Sequence, residues 1–396
     1  MNPSSPKSLP SLGPKEFRLK GKIYRRTDIQ IRNKRGLLLE CSHFEPIKRV
    51  AAQLPCVIYL HGNCSSRVEA LQAVEVLLPS NITLFCFDFA GCGKSEGEYI
   101  SLGWHERDDV EAAMDYLRKS ETVTSIGLWG RSMGAVTAIM HADRDPTIGG
   151  IVLDSPFSDL KVLSEELVKT HTKIPKLIAS GAMLLIRNTI KGKAKFDIND
   201  LVPMNHVEAG FVPAMFIAGK DDKFIDPRHS KDLYNKYAGD KNLVLVEGDH
   251  NTMRPLYLID SVCIFFHNAL LVDQLPKEEP KSQPRTSNPQ KSESKGALNS
   301  FLSGIGFGNV FGGNKDNNQK KEEAAFAQQS KKIGNEEEIH EALGDINEEE
   351  LRKAIEESIK LSGPDAAVNI NEEKIVEKVE INGIGGREEE QKIDQK

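Results

Sequence analysis

Gly130-Arg131-Ser132-Met133-Gly134 matches the pattern G-x-S-x-G, and a strand-like run, residues 125–129, comes directly before it. A segment of helical character, residues 135–141, follows it. In this arrangement the serine lies on a strained turn between a strand and a helix, and only small residues fit on either side. The stretch therefore predicts that the hydroxyl of Ser132 projects above one edge of a sheet as a nucleophile.

The first 270 residues continue this alternation of apolar strand-like runs and helix-like segments. Continuous apolar runs are typical of strands that are buried on both faces of a parallel sheet. We therefore predict an α/β fold with a mostly parallel sheet and helices on both faces. An antiparallel hairpin is predicted over residues 27–45. The predicted parallel strands are residues 56–60, 82–87, 125–129, 150–153, 214–218 and 243–246.

Charge divides the chain of 396 residues into two unlike parts. Residues 271–396 contain 26 acidic and 18 basic residues, a net charge of −8. The preceding part contains 32 acidic and 34 basic residues, a net charge of +2. This pattern predicts a nearly neutral globular domain and a disordered acidic tail. A neutral domain without a basic patch is not expected to bind nucleic acid.

Composition subdivides the chain further. Residues 1–25 are predicted to be an N-terminal arm and residues 26–272 the α/β domain. Residues 273–335 are rich in Pro, Ser, Gly and Asn, which is typical of a disordered linker. Residues 336–362 form an acidic region with helical patterns, and residues 363–396 a disordered acidic tail.

Within the domain, residues 157–211 interrupt the alternation between two predicted strands. The segment mixes helical pieces with the apolar run Met183-Leu184-Leu185-Ile186. Its position, after one strand of the sheet and before the next, is where a lid over a binding pocket would be inserted. We therefore predict a small lid-like insertion.

The cellular environment is predicted from three features of the sequence. The N-terminus has no apolar segment of the kind found in a signal peptide. No apolar stretch is long enough to span a bilayer, so no transmembrane segment is expected. All six cysteines precede the tail and none forms a C-x-x-C pair, which indicates thiols in a reducing compartment. We expect a cytoplasmic protein without a metal or other cofactor.

A serine hydroxyl needs a general base, and His250 is the best candidate. It lies in Glu247-Gly248-Asp249-His250-Asn251, directly after the predicted strand 243–246. None of the competing histidines, at positions 206, 229 and 267, directly follows a predicted strand.

The base in turn needs an acid that holds its tautomer. Asp222 is the preferred candidate, because the segment Gly219-Lys220-Asp221-Asp222 follows the predicted strand 214–218. Asp221 and Asp249 are the alternatives. The resulting chain order is nucleophile, acid, base, as in enzymes of the α/β-hydrolase type.

A tetrahedral oxyanion needs two backbone N–H donors. One is predicted to come from Met133, directly after the nucleophile. The other is predicted to come from Asn63, in the loop that follows the strand 56–60. His61 and Gly62 are expected to shape that loop rather than take part in the chemistry.

Five motifs resemble the serine-aminopeptidase-like branch of the α/β-hydrolases over about residues 26–271. The resemblance implies the α/β-hydrolase fold and places the acid at Asp222 rather than Asp221. It does not specify the substrate, because relatives include monoacylglycerol lipases, protein depalmitoylases and peptidases. The motifs are His61-Gly62-Asn63, residues 88–97, Gly130-Arg131-Ser132-Met133-Gly134, Asp154-Ser155-Pro156-Phe157 and Gly219-Lys220-Asp221-Asp222.

Two departures limit what that resemblance implies. The histidine loop of the branch usually reads Gly-x-Gly-His, and Asp249 stands here in place of the second glycine. This change is expected to alter the loop but not the chemistry. The depalmitoylases carry an N-terminal cysteine cluster for membrane anchoring, which this sequence lacks.

A second informative stretch lies in the acidic region, at residues 347–362. Three glutamates precede a helical stripe whose apolar residues leave a gap at a small side chain. The pattern resembles the ubiquitin-interacting motif, which implies weak ubiquitin binding with a Kd on the order of 0.1–1 mM. An upstream repeat with Ile339 and Ala342 is a degenerate copy or a coincidence. The residues that would face ubiquitin are Leu351, Ala354, Ile355 and Ser358.

These features together predict a serine hydrolase that cleaves an ester, thioester or amide bond through an acyl-enzyme intermediate. The expected partners are a small-molecule or acylated-protein substrate and, through the tail, ubiquitin. The alternative is an adaptor with weak catalysis, whose main role is to bind ubiquitinated proteins.

Overall fold

A single sheet of nine strands organises the computed structural model, which describes residues 12–171 and 176–276 and no side chains for residues 171–182. The strand order across the sheet is β1-β2-β3-β5-β4-β6-β7-β8-β9. The strands are β1 (Glu16–Leu19), β2 (Lys22–Arg32), β3 (Leu38–Pro46), β4 (Leu54–Leu60), β5 (Thr83–Phe87), β6 (Val123–Arg131), β7 (Gly150–Asp154), β8 (Ala214–Gly219) and β9 (Lys241–Val246).

The sheet has a parallel part and an antiparallel part. Strands β5, β4, β6, β7, β8 and β9 pair in parallel, so that their carboxyl ends meet at one edge. Strands β1, β2 and β3 are antiparallel to their neighbours. The turn between β2 and β3 is closed by hydrogen bonds between Asn33 and Gly36 and between Asn33 and Leu37. Ligands of such parallel sheets bind at the carboxyl edge, which is where the candidate site lies.

Helices cover both faces of this sheet. On one face α2 and α3 contribute Met114 and Ile139 to a buried cluster, which contains Ile58 of the central strand. On the other face α1 and α7 contribute Leu77 and Phe266 to a second cluster. The helices are α1 (Leu71–Leu77), α2 (Glu106–Lys119), α3 (Met133–Ala142), α4 (Leu160–His171), α5 (Lys176–Lys193), α6 (Pro227–Lys236) and α7 (Leu256–Ala269).

The segment between β7 and β8 contains α4, α5 and two short 3-10 helices, Ile198–Asp200 and Pro203–Asn205. Its apolar side chains form a third buried cluster with Val136 and Met140 of α3. Met183 packs against this cluster as a partly buried side chain. The segment therefore lies on the helix that begins directly after Ser132. Within residues 12–171 and 176–276, no helix combines the length and the apolar character needed to cross a bilayer.

The predicted fold class is confirmed: the sheet is mostly parallel and helices lie on both of its faces. The structure adds β1, α6 and α7, which the sequence patterns did not identify as elements. Strand β1 and the beginning of β2 precede residue 26, where the sequence analysis placed the domain boundary. The first residues of the predicted linker, 273–276, are described, and Asp273 and Gln274 belong to the 3-10 helix Val272–Gln274 that closes the domain. The rest of the linker, the acidic region with Leu351, Ala354, Ile355 and Ser358, and the acidic tail lie outside the described residues.

The closest backbone approach at the turn predicts a specific intolerance. A Cβ added at Gly134 would overlap the carbonyl oxygen of Leu60, and neither backbone can yield without moving β4 or α3. We expect Gly134→Ala to lower the free energy of unfolding by about 3 kcal/mol in urea titrations followed by circular dichroism. The matched control is Gly192→Ala on α5, where an added Cβ meets no atom within 4 Å.

Gly192→Ala should change the free energy of unfolding by no more than about 1 kcal/mol, in the stabilising direction, because alanine is the better helix former. A Gly134→Ala protein as stable as this control would show that the close approach is not a constraint.

Candidate functional site

Ser132 occupies a strained turn between β6 and α3. Its φ is 52° and its ψ is −115°, a conformation that costs free energy for a residue with a side chain. Its N–H donates to the carbonyl oxygen of Asp154 at the end of β7, at 2.7 Å. A Cβ at Gly130 would overlap the backbone of Gly134, as one at Gly134 would overlap Leu60. The two glycines of the motif are therefore explained by contacts of the backbone.

The structure brings Ser132, His250 and Asp222 together in one row. Oγ of Ser132 lies 3.1 Å from Nε2 of His250. Nδ1 of the same ring lies 2.7 Å from Oδ2 of Asp222. A carboxylate only accepts hydrogen bonds, so Nδ1 carries the hydrogen and the lone pair of Nε2 faces the serine. This arrangement can withdraw the proton of the hydroxyl.

The carboxyl group of Asp222 is fully buried and held on both oxygens. Its Oδ1 accepts from the N–H groups of Phe224 and Ile225, at 3.0 and 2.8 Å. These bonds leave Oδ2 aimed at the imidazole. Asp221, the alternative acid, instead accepts from the N–H of Gly248 at 3.3 Å. The structure thus places Asp222 against the imidazole and Asp221 away from it.

The competing histidines have other neighbours. Each lies beside an acidic side chain outside the row described above. His206 faces Asp143 at 2.8 Å, His229 faces Glu166 at 2.9 Å and His267 faces Asp273 at 3.7 Å. Of the four candidate histidines, His250 is the one that contacts Ser132.

Asp249 closes the loop in which His250 lies. Its Oδ1 accepts from the N–H groups of Asn251 and Thr252 and from the Thr252 hydroxyl, at 2.8–2.9 Å. Such local bonds are typical of aspartate in turns and stabilise a loop without a glycine. They also hold the pKa of Asp249 below its usual range, with the Thr252 hydroxyl as the largest cause. The loop therefore closes with an aspartate at position 249, and His250 contacts both Ser132 and Asp222.

A buried ion pair anchors the same loop to the sheet. Arg254 donates to both carboxyl oxygens of Asp154, with its Nε 2.9 Å from Oδ2 and its Nη2 2.8 Å from Oδ1. Its Nη1 also donates to the carbonyl oxygens of Asp249 and Thr252, at 3.2 and 3.1 Å. Burial raises the pKa of Asp154, but Arg254 and then Arg131 outweigh it and hold that pKa below its usual range.

The loop after β4, residues 61–64, lies beside the serine. Nε2 of His61 accepts from the N–H of Phe89 at 3.1 Å, so Nδ1 carries the hydrogen and donates to the Gly62 carbonyl oxygen at 2.7 Å. Burial lowers the pKa of this histidine, which favours the neutral ring. A Cβ on Gly62 would lie 3.8 Å from the Cβ of Ser132. Asn63 follows Gly62 directly, so a predicted oxyanion residue belongs to the loop that approaches the serine.

Three contributors to the site were not identified as such from the sequence. Phe224 is 44% exposed, and its ring centroid lies 5.1 Å from that of His250, so it forms part of the wall beside the base. Asp154 belongs to one of the quoted motifs without a role assigned to it, and Arg254 lies outside all of them. Arg254 is visible in the sequence near the end of the domain. Its partner Asp154 lies 100 positions earlier, so no local pattern predicts that the two residues pair.

The chemical groups at the site are those of Ser132, His250 and Asp222. In the part of the chain that the structure describes, no three His, Cys, Asp or Glu side chains cluster in a way that could hold a metal ion. The arrangement supplies a hydroxyl, a neutral imidazole and a buried carboxylate in sequence. Such a row can activate the hydroxyl for attack on a carbonyl carbon.

The chain is similar to known proteins over part of its length. Residues 52–197 match the family described as serine aminopeptidase, S33. The chain is 26% identical over 201 residues to the uncharacterized protein YqkD of Bacillus subtilis, covering 50% of this chain and 65% of that protein. It is 23% identical over 202 residues to the lysophosphatidylserine lipase ABHD12 of Xenopus tropicalis, covering 49% of this chain and 50% of that lipase. The chain thus spans about half to two-thirds of these relatives.

Solved structures share the fold. The Pyrococcus furiosus esterase Pf2001 superposes with a TM-score of 0.50 at 23% identity, covering 62% of this chain and 90% of the esterase. The acetyl xylan esterase from Paenibacillus sp. R4 also has a TM-score of 0.50, at 17% identity, with 62% and 84% covered. The sheet order and these structures together show the α/β-hydrolase fold, and residues 52–197 are similar to the serine aminopeptidase, S33, family.

Proposed function

We propose that the protein is a serine hydrolase that cleaves an ester, thioester or amide bond through an acyl-enzyme intermediate. The observation that carries the proposal is the row Ser132 Oγ, His250 and Asp222, with contacts of 3.1 and 2.7 Å on a strained strand-to-helix turn. The names of the related proteins, which include esterases and a lipase, support carboxylic acid derivatives as the substrate class.

In the first half of the proposed reaction, Ser132 Oγ attacks the carbonyl carbon while its proton passes to Nε2 of His250. Asp222 stabilises the imidazolium that forms, because its buried carboxylate accepts from Nδ1 throughout. The oxyanion accepts hydrogen bonds from the N–H groups of Met133 and Asn63. Met133 is the first residue of α3, where N–H groups have no partner within the helix. His250 then protonates the leaving group.

In the second half, water replaces the leaving group. His250, again neutral, takes a proton from this water, which attacks the acyl carbon and releases the acid. Ser132 recovers its proton from the imidazolium at the end of the cycle. Each half reaction uses the same row of hydrogen bonds, so one geometry serves both.

The proposal extends to the segment 157–211, as a cover over the acyl group. The third buried cluster, which this segment forms with α3, contains Val136 and Met140. These residues lie one and two turns into the helix that begins after Ser132. Met183 packs against that cluster and Leu184 is half-buried next to it in sequence. Apolar side chains in this position suit the hydrocarbon part of an acyl chain.

The cellular setting is part of the same proposal. Cys41, Cys56 and Cys86 are buried thiols in the core. Burial raises the pKa of Cys56 to about 12, so it stays protonated and unreactive at neutral pH. Unreacted core thiols fit the cytoplasm, where we place the protein.

A second candidate function, ubiquitin binding, rests on the sequence of residues 347–362. The acidic run followed by Leu351, Ala354, Ile355 and Ser358 favours it. A tail with this property would bring the hydrolase to ubiquitinated proteins through the intervening residues 277–346. The adaptor alternative assigns the main role to this tail and predicts a wild-type protein with negligible hydrolysis.

The first test replaces members of the row. We expect Ser132→Ala and His250→Ala to abolish fluorophosphonate labelling or p-nitrophenyl ester hydrolysis while the thermal unfolding midpoint stays near that of the wild type. Asp222→Asn should lower kcat on the order of 10³–10⁴-fold, because the amide favours the wrong imidazole tautomer. Asp221→Asn is the matched control and should keep kcat within about threefold, since it contacts Gly248 instead.

Near wild-type hydrolysis by Ser132→Ala would contradict the nucleophile assignment. A large loss in Asp221→Asn with a small one in Asp222→Asn would contradict the choice of acid. A wild type without activity towards any ester, thioester or amide would favour the adaptor.

The second test concerns the segment 157–211. We expect the double variant Met183→Ser/Leu184→Ser to lower kcat/KM for a long-chain acyl ester about tenfold more than for an acetyl ester, because it removes apolar contacts. Asn188→Ser, an exposed position on the same helix, should leave both substrates unchanged. An equal loss on both substrates would assign Met183 a packing role only.

The third test concerns the tail. Ubiquitin labelled with nitrogen-15, titrated with a peptide of residues 346–362, should show shifts confined to its apolar patch, with a Kd on the order of 0.1–1 mM. Ala354→Gln should abolish the shifts, because glutamine keeps the helix but blocks the close approach. Ser358→Ala should weaken binding less. Equal binding by Ala354→Gln, or no shifts at millimolar peptide, would refute ubiquitin binding.

A further inference from the structure

Arg131, between Gly130 and the proposed nucleophile, has a largely buried side chain that the proposed reaction does not use. Its side chain is 14% exposed. Its Nη2 donates to the backbone carbonyl oxygen of His250 at 2.8 Å. Its Nη1 lies 3.8 Å from Oε1 of Glu69. The guanidinium of Arg131 thus links the loop that contains His250 to Glu69, which follows β4 in the chain.

The carboxylate of Glu69 accepts hydrogen bonds from β4 and from the loop that follows it. It lies in the 3-10 helix Arg67–Ala70, and its side chain is 8% exposed. Its Oε2 accepts from the N–H of Gly62 at 3.2 Å, beside the predicted oxyanion donor Asn63. Its Oε1 accepts from the hydroxyl of Tyr59 at 3.0 Å. The carboxylate therefore fixes the backbone of the loop after β4.

The guanidinium of Arg131 is surrounded by acidic side chains that favour its charged form. Burial works to lower the pKa of Arg131, but the charges of Glu69 and then Asp154 outweigh it and raise that pKa. An ion pair that is largely shielded from water is stronger than one on the surface, provided that its groups also find hydrogen-bond partners. Glu69 accepts from Gly62 and Tyr59, and Arg131 donates to the His250 carbonyl oxygen. Arginine suits this role because its fork reaches two partners at once, which the single ammonium of lysine does not do.

We propose that Arg131 and Glu69 are positioning residues that couple the oxyanion loop at Gly62 to the placement of the His250 imidazole. This inference rests on the proposed function. Both residues act on the backbone. Glu69 accepts from the N–H of Gly62, in the loop that offers the proposed oxyanion donor, and Arg131 donates to the carbonyl oxygen of His250. The Arg131–Glu69 pair therefore positions the loop after β4 and the loop that contains His250 relative to one another.

The test uses the full chain and three variants. Arg131→Met removes the bond to the His250 carbonyl, Glu69→Gln removes the charge of its partner, and the double variant removes the buried charges together. The control is Arg144→Met, whose side chain makes an exposed ion pair with Asp108 on the surface. The measurements are kcat and KM on an ester, the fluorophosphonate labelling rate, thermal unfolding, and the downfield NMR resonance of the proton between His250 and Asp222.

We expect Arg131→Met to lower kcat about 100-fold with KM changed less than about threefold, since a displacement near 1 Å can cost this much. The downfield resonance should shift or broaden. Glu69→Gln should have a smaller effect in the same direction. The double variant should lose less than the product of the two single losses, because the residues act on one another. Arg131→Lys should recover only part of the loss, and Arg144→Met should match the wild type.

An Arg131→Met protein with wild-type kcat and an unshifted resonance would overturn the coupling. So would strictly multiplicative losses in the double variant. If Arg131→Met fails to fold, the double variant decides the question, because it leaves no unpaired buried charge. If the wild type neither hydrolyses esters nor reacts with the fluorophosphonate, the proposed function fails, and the resonance alone then tests the coupling.

Discussion

The close contact between α3 and the end of β4 is the constraint on which the site depends. The backbone of Gly134 lies so near the carbonyl of Leu60 that no side chain fits between them. With the helix pressed against the sheet, the chain can turn from β6 into α3 only through a strained residue, and Ser132 is that residue. The same contact brings the loop after β4 beside the serine. The strain at Ser132 and the proximity of the loop after β4 thus have one cause.

Asp154 connects the turn at Ser132 to the loop that contains His250. Its carbonyl oxygen accepts from the N–H of Ser132, and its carboxylate binds Arg254. Arg254 in turn holds two carbonyl oxygens of the loop that contains His250. The turn of the nucleophile and the loop of the base are therefore fastened to one residue at the end of β7. A rigid arrangement of this kind keeps a base within reach of its proton without reorganisation during reaction.

The sequence predicted those parts that follow a local rule. The fold class was predictable because each parallel strand is a continuous apolar run, and the positions of Ser132, Asp222 and His250 because each comes directly after such a run. Strand β1, with four residues, is too short to show a pattern. Helix α7 leaves Leu256, Tyr257 and Ile264 exposed, which obscures its amphipathic period. Arg254 was not predictable as a contributor, because its partner Asp154 lies 100 positions earlier. Glu69 was not predictable either, because no motif marks it and its partner Arg131 lies in a different element, β6.

The chain order of the site has a consequence for synthesis. Ser132 and His250 are 118 positions apart, and Arg254 reaches back 100 positions to Asp154. The base and its anchor both follow β9, the strand at the far edge of the sheet. A chain leaving the ribosome therefore exposes its serine long before the imidazole exists, and that hydroxyl is no more reactive than any other. Only the docking of β9 brings His250 and Arg254 to their partners. Any reactivity that the serine gains from the imidazole therefore requires the finished sheet.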